Sequence, residues 1–557
     1  MDFSQLSLLL VIASLFGIFA RTFKQPLLVG YLFAGILLAA MGIVTESAGL
    51  ENLGKIGVTF LLFLLGIEMN LKELPTIGKV AAVTGIGQIV ITFIFGALLA
   101  LGLGIKLPAA AYIGIALTFS STVIIVKLLS EKKELASLYG KISVGFLLIQ
   151  DLVAIVILIF LSSLGKGNFQ TGQYALIALK ILGLFAGVWI LSKKILPYVF
   201  DRIISSSLEL LFIVSIAWAL GVATFVAGPV GFTLEIGGFL AGLSLSNLPE
   251  HLQIASRTRP LRDFFLTIFF LYIGTKLYVG GEIFALLPEA GVFSIFVLVG
   301  NPIIVLIIMG LLGYKKRTSF LAGLTVAQIS EFSFILMEVG ESSGHVTKSQ
   351  VSLVILTGVI TMTVSTYLII WSEKIYKVIG KYLSIFEKKR SREITLNYDM
   401  KPDNHTVLIG ADRAGRNLCD YFKSRLTPFL VIDFNPSIIA KLTAENIPAV
   451  FGDITDPEII EITNLDKSKT VISTIPSVDD NLSILEFVRP LKIKPLLIMT
   501  AQTRRDGIKL YEAGATYVVI PELVAGEHIR QVIDLYDANA EKLTQSGKRH
   551  FDRLIFT

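Results

Sequence analysis

Long apolar stretches, separated by short polar or Gly/Pro-containing breaks, make up the first two thirds of the chain. A helix rises about 1.5 Å per residue, so stretches of this length match the roughly 30 Å hydrocarbon core of a bilayer. The pattern predicts thirteen membrane spans, at residues 5–20, 26–42, 54–69, 79–103, 108–129, 141–164, 174–192, 207–227, 230–247, 262–278, 290–312, 319–340 and 350–371. Residues 1–371 are therefore expected to form a polytopic α-helical membrane domain.

The pattern changes after Trp371. Residues 372–404 form a basic linker whose partly amphipathic first half is expected to lie along the anionic membrane surface. Short apolar strands then alternate with helices, and the strands are predicted at 406–410, 428–433, 449–453, 469–474, 494–500 and 517–521. This alternation is typical of a doubly wound, Rossmann-like α/β domain, here assigned to residues 405–521. Residues 522–557 are expected to form a helical tail.

Composition and charge support this division. The chain has 557 residues, of which 54% are hydrophobic and 17% charged, which is too apolar for a soluble protein. Alternate loops segregate Lys and Arg about fourfold, which predicts an N-terminus outside the cell and a cytoplasmic C-terminal domain. The net charge of +6 is explained by these loops, so nucleic acid is not expected as a partner. Cys419 is the only cysteine, and no intrachain disulfide can form.

One acid lies inside the sixth predicted span. Asp151 is near the middle of the apolar stretch from Ile142 to Leu164. A carboxylate near the bilayer centre is costly, on the order of 3 kcal/mol by insertion scales, and such acids usually bind an ion or proton. A structural partner that neutralises the acid is the alternative. Gln150 is uncharged, so this part of the span has one titratable group, which can hold either a proton or a cation.

Two other spans contain polar clusters where apolar residues would be expected. They are Thr118, Ser120, Ser121 and Thr122 in the fifth span, and Thr325, Gln328, Ser330 and Glu331 in the twelfth. Transporters with inverted repeats place unwound helices near the bilayer midplane, where freed carbonyl groups coordinate cations. Hydrogen bonding between packed helices is the alternative for each Ser and Thr.

Several segments together resemble the Kef-type monovalent cation:proton antiporters. They are LLFLLGIEMN (61–70), ALTFSSTVIIVKLL (116–129), LLIQDLVAI (147–155), GGFLAGLSLS (237–246), PLRDFFLTIFFLYIGTKL (260–277) and AQISEFSFIL (327–336). The resemblance implies a homodimer whose subunits each have a dimerisation domain and a mobile core with inverted repeats. In that core the fifth and twelfth helices are broken and cross beside the acid of the sixth. Carried over, Asp151 holds the ion or proton beside Gln150, and the crossings contain Ser120, Ser121, Thr122, Gln328 and Glu331.

A glycine-containing loop opens the C-terminal domain. Kef-type proteins have a nucleotide-binding regulatory domain of the TrkA-N (RCK) type here, which implies candidate ligands at Gly410, Asp412, Arg413, Ala414, Gly415, Asp433, Gly452 and Asp453. Gly410 and Gly415 match a Rossmann phosphate loop, and Asp433 ends the second strand, where an acid would accept ribose hydroxyls. Asp412, however, replaces the glycine that lets pyrophosphate approach. This disfavours NAD(H); AMP or ATP, another ligand, or a purely structural fold remain open.

The sequence thus favours a secondary antiporter that exchanges K+, or alternatively Na+, for H+ across the cell (inner) membrane. It is expected to need no cofactor and to be regulated by its C-terminal domain. Two acids in the sixth helix and a lysine in the eleventh are typical of related antiporters that move net charge, and neither feature is present. The exchange is therefore expected to be electroneutral. A ligand-gated channel lacks a recognisable filter motif, and an oxidoreductase lacks a catalytic cluster.

Overall fold

The computed structural model describes most of the chain. The described residues are 3–42, 48–68, 78–132, 134–135, 137–163, 183–184, 186–200, 207–277, 283–387, 403–452, 454, 459–460, 463–491, 493–536 and 543–548. The chain forms two units, one of Met1–Leu135 with Tyr139–Lys388, the other of Ala136–Leu138 with Lys389–Thr557.

The first unit is built from helices that follow the apolar stretches of the sequence. They are α1 (Phe3–Thr22), α2 (Leu27–Ala40), α3 (Ala48–Glu68), α4 (Gly78–Gly102), α5 (Leu107–Ala116), α6 (Thr122–Glu131), α7 (Leu138–Ser163), α8 (Leu196–Val199), α9 (Leu208–Ala227), α10 (Leu234–Leu245), α11 (His251–Lys276), α12 (Ile283–Ile295), α13 (Asn301–Leu311), α14 (Lys316–Leu324), α15 (Glu331–Ser342), α16 (Lys348–Ile370) and α17 (Ser372–Ile379). A π-helical turn precedes α8, another joins α12 to α13, and a 3-10 helix, Tyr382–Phe386, follows α17.

Seven of the described helices are long and apolar enough to cross a membrane. They are Ser4–Thr22, Gly49–Glu68, Gly78–Gly102, Leu138–Leu161, Glu209–Ala227, Phe284–Leu311 and Lys348–Ile370. The predicted membrane domain is thus confirmed. The seventh predicted span, 174–192, lies largely outside the described residues, and the count of thirteen spans stays a prediction.

The fifth and twelfth predicted spans are each interrupted. Between α5 and α6 lie residues 117–121, which we call the first break, and between α14 and α15 lie residues 325–330, the second break. Both breaks coincide with the polar clusters of the sequence, because Ser and Thr offer the backbone hydrogen bonds that compete with a helix. The two broken helices implied by the family resemblance are confirmed.

Two groups of helices pack within this unit. In one, α3 packs against α10 and α11, and α11 also packs against α2. Glycines allow this close approach: a Cβ at Gly242 would clash with the carbonyl oxygen of Phe63, and one at Gly274 with that of Leu32. In the other group, α4 packs against α5 and α13, and α15 packs against α5 and α16. This second group contains both breaks.

The C-terminal unit is a parallel six-stranded sheet with the order β3-β2-β1-β4-β5-β6. Its strands are β1 (Thr406–Ile409), β2 (Phe429–Asp433), β3 (Ala449–Phe451), β4 (Thr470–Ser473), β5 (Leu496–Thr500) and β6 (Tyr517–Val519). Its helices are α18 (Arg413–Ser424), α19 (Pro436–Ala444), α20 (Val478–Val488), α21 (Arg504–Glu512) and α22 (Pro521–Tyr536). This is the strand order of a Rossmann fold, and the predicted fold class is confirmed.

Candidate functional site

Asp151 lies in the middle of α7 and is 5% exposed. Its Oδ2 accepts a hydrogen bond from Thr122 Oγ1 at 2.9 Å. Thr122 is the first residue of α6, where the partial positive charge of the helix N-terminus also favours an anion. The structure therefore brings the predicted ion-carrying acid to one of the residues predicted for the first crossing.

Gln150 is fully buried but bonds to different neighbours. Successive residues on a helix lie about 100° apart, so adjacent side chains face different elements. Gln150 Oε1 accepts from the backbone N–H of Ser120 at 3.3 Å, and Gln150 Nε2 donates to Gln88 Oε1 at 2.6 Å. Gln150 thus ties α7 to the first break and to α4.

The sequence analysis did not assign Gln88, Thr92 or Asn301 to the site. All three are fully buried, the first two on α4 and the third at the start of α13. Gln88 Nε2 donates to Thr92 Oγ1 at 3.1 Å, and Thr92 Oγ1 donates to Asn301 Oδ1 at 2.8 Å. The sequence contained one indication of these residues: Gln88 places an amide in the apolar fourth span, and Asn301 places another in the eleventh. A buried amide in an apolar span requires a hydrogen-bond partner.

The remaining residues of the first crossing have separate roles. Ser121 is the N-cap of α6, and its Oγ accepts from the backbone N–H of Ile124 at 3.4 Å. Ser120 Oγ is buried and has no hydrogen-bond partner among the described residues. An unpartnered buried hydroxyl in the first break is an oxygen that an ion could use.

The second break carries the other predicted site residues. Gln328 Oε1 accepts from Ser365 Oγ of α16 at 2.8 Å, whereas Gln328 Nε2 is buried without a partner among the described residues. Ser330 is the N-cap of α15 and accepts from the backbone N–H of Phe332 at 3.2 Å. This break is therefore bonded to α16 and to its own cap.

Glu331 is the first residue of α15 and is 4% exposed. Its Oε2 accepts from Ser330 Oγ at 3.2 Å. Ser333 Oγ, two residues further on, donates to the carbonyl oxygen of Ala116 at 2.6 Å, where α5 ends. The two broken helices therefore meet, with one acid beside each.

The chemistry of this arrangement suits a small hard cation and a proton. Carboxylate, hydroxyl and carbonyl oxygens are the ligands that alkali and alkaline-earth ions prefer. A carboxylate can release such an ion and bind a proton in its place. Both helix N-termini at the breaks also favour negative charge, which helps an acid remain ionised in a buried place.

The membrane domain also contains a cavity of about 680 Å³, with charged side chains in its wall that include Glu51, Glu235, Lys276 and Glu338. Lys276 Nζ lies 3.1 Å from Glu338 Oε1 and so links α11 to α15.

A smaller cavity shares Glu235 and Ile335 with the large one and is also lined by Ile155 and Leu158. These last two follow Asp151 on α7 at i+4 and i+7, on the same helix face. The smaller cavity therefore borders the face of α7 that carries Asp151.

In the C-terminal domain, the glycine loop after β1 has the geometry of a phosphate loop. Gly410 has φ +85°, which glycine adopts without strain, and a Cβ at Gly415 would clash with the Gly410 carbonyl oxygen. Asp433 Oδ2 accepts from Ala411 N at 2.8 Å, and its Oδ1 accepts from Asn435 N at 2.8 Å. Asp433 thus binds the loop itself, beside the place predicted for a ribose.

The other predicted nucleotide ligands surround this loop. Asp412 is exposed at the N-cap of α18 and makes no capping hydrogen bond, and Ala414 is also exposed. Gly452 is buried after β3, and its N–H donates to the carbonyl oxygen of Asp433 at 3.1 Å. Asp453 and the side chain of Arg413 lie outside the described residues. The structure thus leaves the Asp412 carboxylate exposed at the start of α18, and its effect on a diphosphate stays a prediction.

A buried acid bonded to a broken membrane helix, in a chain that continues into a Rossmann-type domain, is the arrangement of a cation/proton antiporter. Residues 9–371 match the transmembrane sodium/hydrogen exchanger family, and residues 406–521 match the TrkA-N domain. The chain belongs to the sodium/hydrogen exchanger family, which is a family of transporters and not of enzymes. The resemblance to Kef-type antiporters is confirmed.

Three relatives are similar over much of their length. A protein named as cation/proton antiporter YbaL of Escherichia coli is 27% identical, over 92% of this chain and 94% of its own. A protein named as K(+) efflux antiporter KefB of Alkalimonas amylolytica is 25% identical, over 94% and 80%. K(+) efflux antiporter 4 of Arabidopsis thaliana is 30% identical, over 70% and 67%. These relatives carry the names of cation antiporters.

Proposed function

We propose that this chain exchanges a monovalent cation, K+ or alternatively Na+, for H+ by alternating access. The observation that carries the proposal is Asp151, buried on α7 and bonded to Thr122 at the N-terminus of a broken helix. One carboxyl group that binds cation and proton alternately couples their movements in opposite directions. The names of the relatives support K+ as the cation.

The exchange is proposed to be electroneutral, with one proton for one cation. Gln150 stands where a second acid would add a charge, and its amide is used in neutral hydrogen bonds. No Lys or Arg occurs between Gly291 and Tyr314, and Asn301 within that segment bonds to the first break instead. Asp151 is therefore proposed as the only titrating carrier of its helix.

The protein is proposed to lie in the cell (inner) membrane as a homodimer, with its N-terminus outside and its C-terminal domain in the cytoplasm. The segregation of Lys and Arg into alternate loops supports this orientation.

The decisive test is transport by the purified full-length protein in lipid vesicles that contain a pH-sensitive dye. Addition of K+, Na+ or Li+ outside should drive protons out of the vesicles, and the order of the three ions gives the selectivity. Proton movement that ignores all three cations, or cation flux without counter-movement of protons, would refute the antiporter and favour a channel.

The C-terminal domain is proposed to set the activity of the transporter through α17. Arg317 Nη2 lies 2.7 Å from Glu373 Oε1, and Lys132 Nζ donates to Ser372 Oγ at 3.0 Å. Arg317 lies at the start of α14, and Lys132 directly follows α6. The helix α17, which leads to the C-terminal domain, is thus bonded to α14, the helix before the second break. It is also bonded to the residue that follows α6, the helix after the first break.

Removal of the C-terminal domain should leave exchange intact but abolish its response to a regulator. The cut belongs after Glu387, because Ser384 Oγ accepts from Lys316 Nζ at 3.0 Å and retains the α14 contact. Rates in vesicles with AMP, ATP or NAD(H) on the domain's side should change for the full chain and not for the shortened one. A folded but wholly inactive shortened chain would contradict this division, and a strong response to NAD(H) would contradict the argument from Asp412.

A further inference from the structure

We propose that Gln88, Thr92 and Asn301 are positioning residues of the ion site. With Gln150 they form what we call the polar ring, a closed set of neutral hydrogen bonds that begins and ends on the first break. This inference rests on the proposed function, because it assigns these residues a role in holding the ion site. All four side chains are fully buried.

One half of the polar ring runs from Ser120 to Thr118. The backbone N–H of Ser120 donates to Gln150 Oε1 at 3.3 Å, and Gln150 Nε2 donates to Gln88 Oε1 at 2.6 Å. Gln88 Nε2 then donates to the carbonyl oxygen of Thr118 at 3.2 Å. Two side chains from α7 and α4 thus connect a free N–H of the break to one of its carbonyls.

The other half runs from Gln88 to Leu117. Gln88 Nε2 also donates to Thr92 Oγ1 at 3.1 Å, and the Thr92 hydroxyl donates to Asn301 Oδ1 at 2.8 Å. Asn301 Nδ2 donates to the carbonyl oxygen of Leu117 at 3.1 Å. A second path, through α4 and α13, thus returns to the same break.

The direction of the polar ring is fixed by its chemistry. If the amide of Gln150 were reversed, its NH₂ would face the Ser120 N–H and its oxygen would face Gln88 Oε1. A reversed Gln88 or Asn301 would set an amide oxygen against a backbone carbonyl. Since only one orientation gives every donor an acceptor, each of the three amides has a single low-energy orientation.

The groups that the polar ring satisfies are those that the break exposes. A helix that ends inside a membrane leaves carbonyl and N–H groups without intrahelical partners and without water. Such groups occur at Leu117, Thr118 and Ser120. Thr122, whose hydroxyl donates to Asp151, follows only two residues after Ser120. The polar ring touches neither the Thr122 hydroxyl nor the Asp151 carboxylate in any described hydrogen bond, so it acts through the backbone.

The alternative role is helix packing alone, in which buried amides and hydroxyls only hold α4, α7 and α13 together. Packing would affect the stability and yield of the protein. A positioning role would also change the cation concentration at half-maximal exchange, because a displaced Thr122 weakens the binding of the ion. The two roles therefore differ in a measurable quantity.

Two threonines on α4 provide a matched pair of variants. Thr92 and Thr84 are both fully buried, and Thr84 Oγ1 has no hydrogen-bond partner among the described residues. Thr92→Val should raise the cation concentration at half-maximal exchange about tenfold, since Gln88 and Asn301 each lose a partner. Thr84→Val, which removes the same hydroxyl from the same helix, should leave that concentration unchanged. Both are measured in vesicles, with melting temperatures recorded in parallel.

The outcomes separate this inference from the proposed function. An inactive wild type refutes the proposed function, whereas an active wild type with equal cation dependence in Thr92→Val and Thr84→Val refutes the polar ring. Asn301→Leu serves if Thr92→Val does not fold, because it removes the donor to Leu117 and the acceptor for Thr92 without adding an ionisable group. An unchanged half-maximal concentration in a folded Asn301→Leu protein would overturn the inference.

Discussion

The two breaks of the membrane domain are held in different ways. The first break is fixed by side chains from three other helices, α4, α7 and α13. The second relies on its own cap, Ser330, and on contacts to α16, where Ile329 N donates to Thr361 Oγ1 at 3.4 Å. It also contains Gln328 Nε2, a buried donor without a partner among the described residues. The first break also contains one such group, Ser120 Oγ, but in the described hydrogen bonds it is held by side chains from more helices than the second break is.

This difference distinguishes the acid near the first break from the acid near the second. Asp151 comes from an unbroken helix and binds a hydroxyl at a fixed break, so its partner has a defined position. Glu331 belongs to the second break itself, and its described partner is the neighbouring Ser330. An ion carrier needs ligands with reproducible geometry, which favours Asp151 as the carrier and gives Glu331 a secondary, electrostatic role.

The largest effect is expected at Asp151. Asp151→Asn keeps the size of the side chain but cannot bind a proton and a cation alternately, so cation-driven proton movement should fall to the level of empty vesicles. Asp263→Asn is a suitable control, because Asp263 is an exposed acid on α11 paired with Arg262. Near-normal exchange by a folded Asp151→Asn protein would show that the carrier lies elsewhere.

Much of this architecture could be predicted from the sequence. The positions of the spans and strands follow from hydrophobic runs, which depend on local residue choice, and the breaks follow from clusters of Ser and Thr. Asp151 and Glu331 were recognisable because an acid inside an apolar stretch is rare.

The other members of the polar ring were not predictable from the sequence in the way that Gln150 was. Gln88 and Asn301 lie 62 residues before and 151 residues after it in the chain, and only the packing of α4, α7 and α13 brings them together. A lone amide in an apolar span indicates that a partner exists but not which one. In the C-terminal domain, likewise, the sequence predicted Asp433 at the end of β2 but not that its Oδ2 would accept a hydrogen bond from the glycine loop at Ala411 N.

A smaller effect is expected at Glu331. If Asp151 alone titrates, Glu331→Gln should slow exchange and leave its stoichiometry at one for one. Exchange should then be independent of an imposed membrane potential, which otherwise contributes about 2.3 kcal/mol per charge per 100 mV. Na+ exchange under a valinomycin-clamped potential, or currents on a supported membrane, measures this. If the wild type produced a current and Glu331→Gln abolished it, Glu331 would be a second proton site. The two acids would then no longer differ in role as carrier and electrostatic neighbour.

The smallest effect is expected at the cap of the second break. Ser330→Ala removes an N-cap and the donor to Glu331, and loss of such a cap costs about 1 kcal/mol. Because the described side-chain bonds to this break from other helices come from α16 alone, the loss should appear as a lower melting temperature and a modest change in rate. Ser319→Ala is the matched control, since Ser319 is a buried serine on α14 whose hydroxyl has no partner among the described residues. Equal melting temperatures for the two variants would show that the second break is supported beyond its cap, as the first one is.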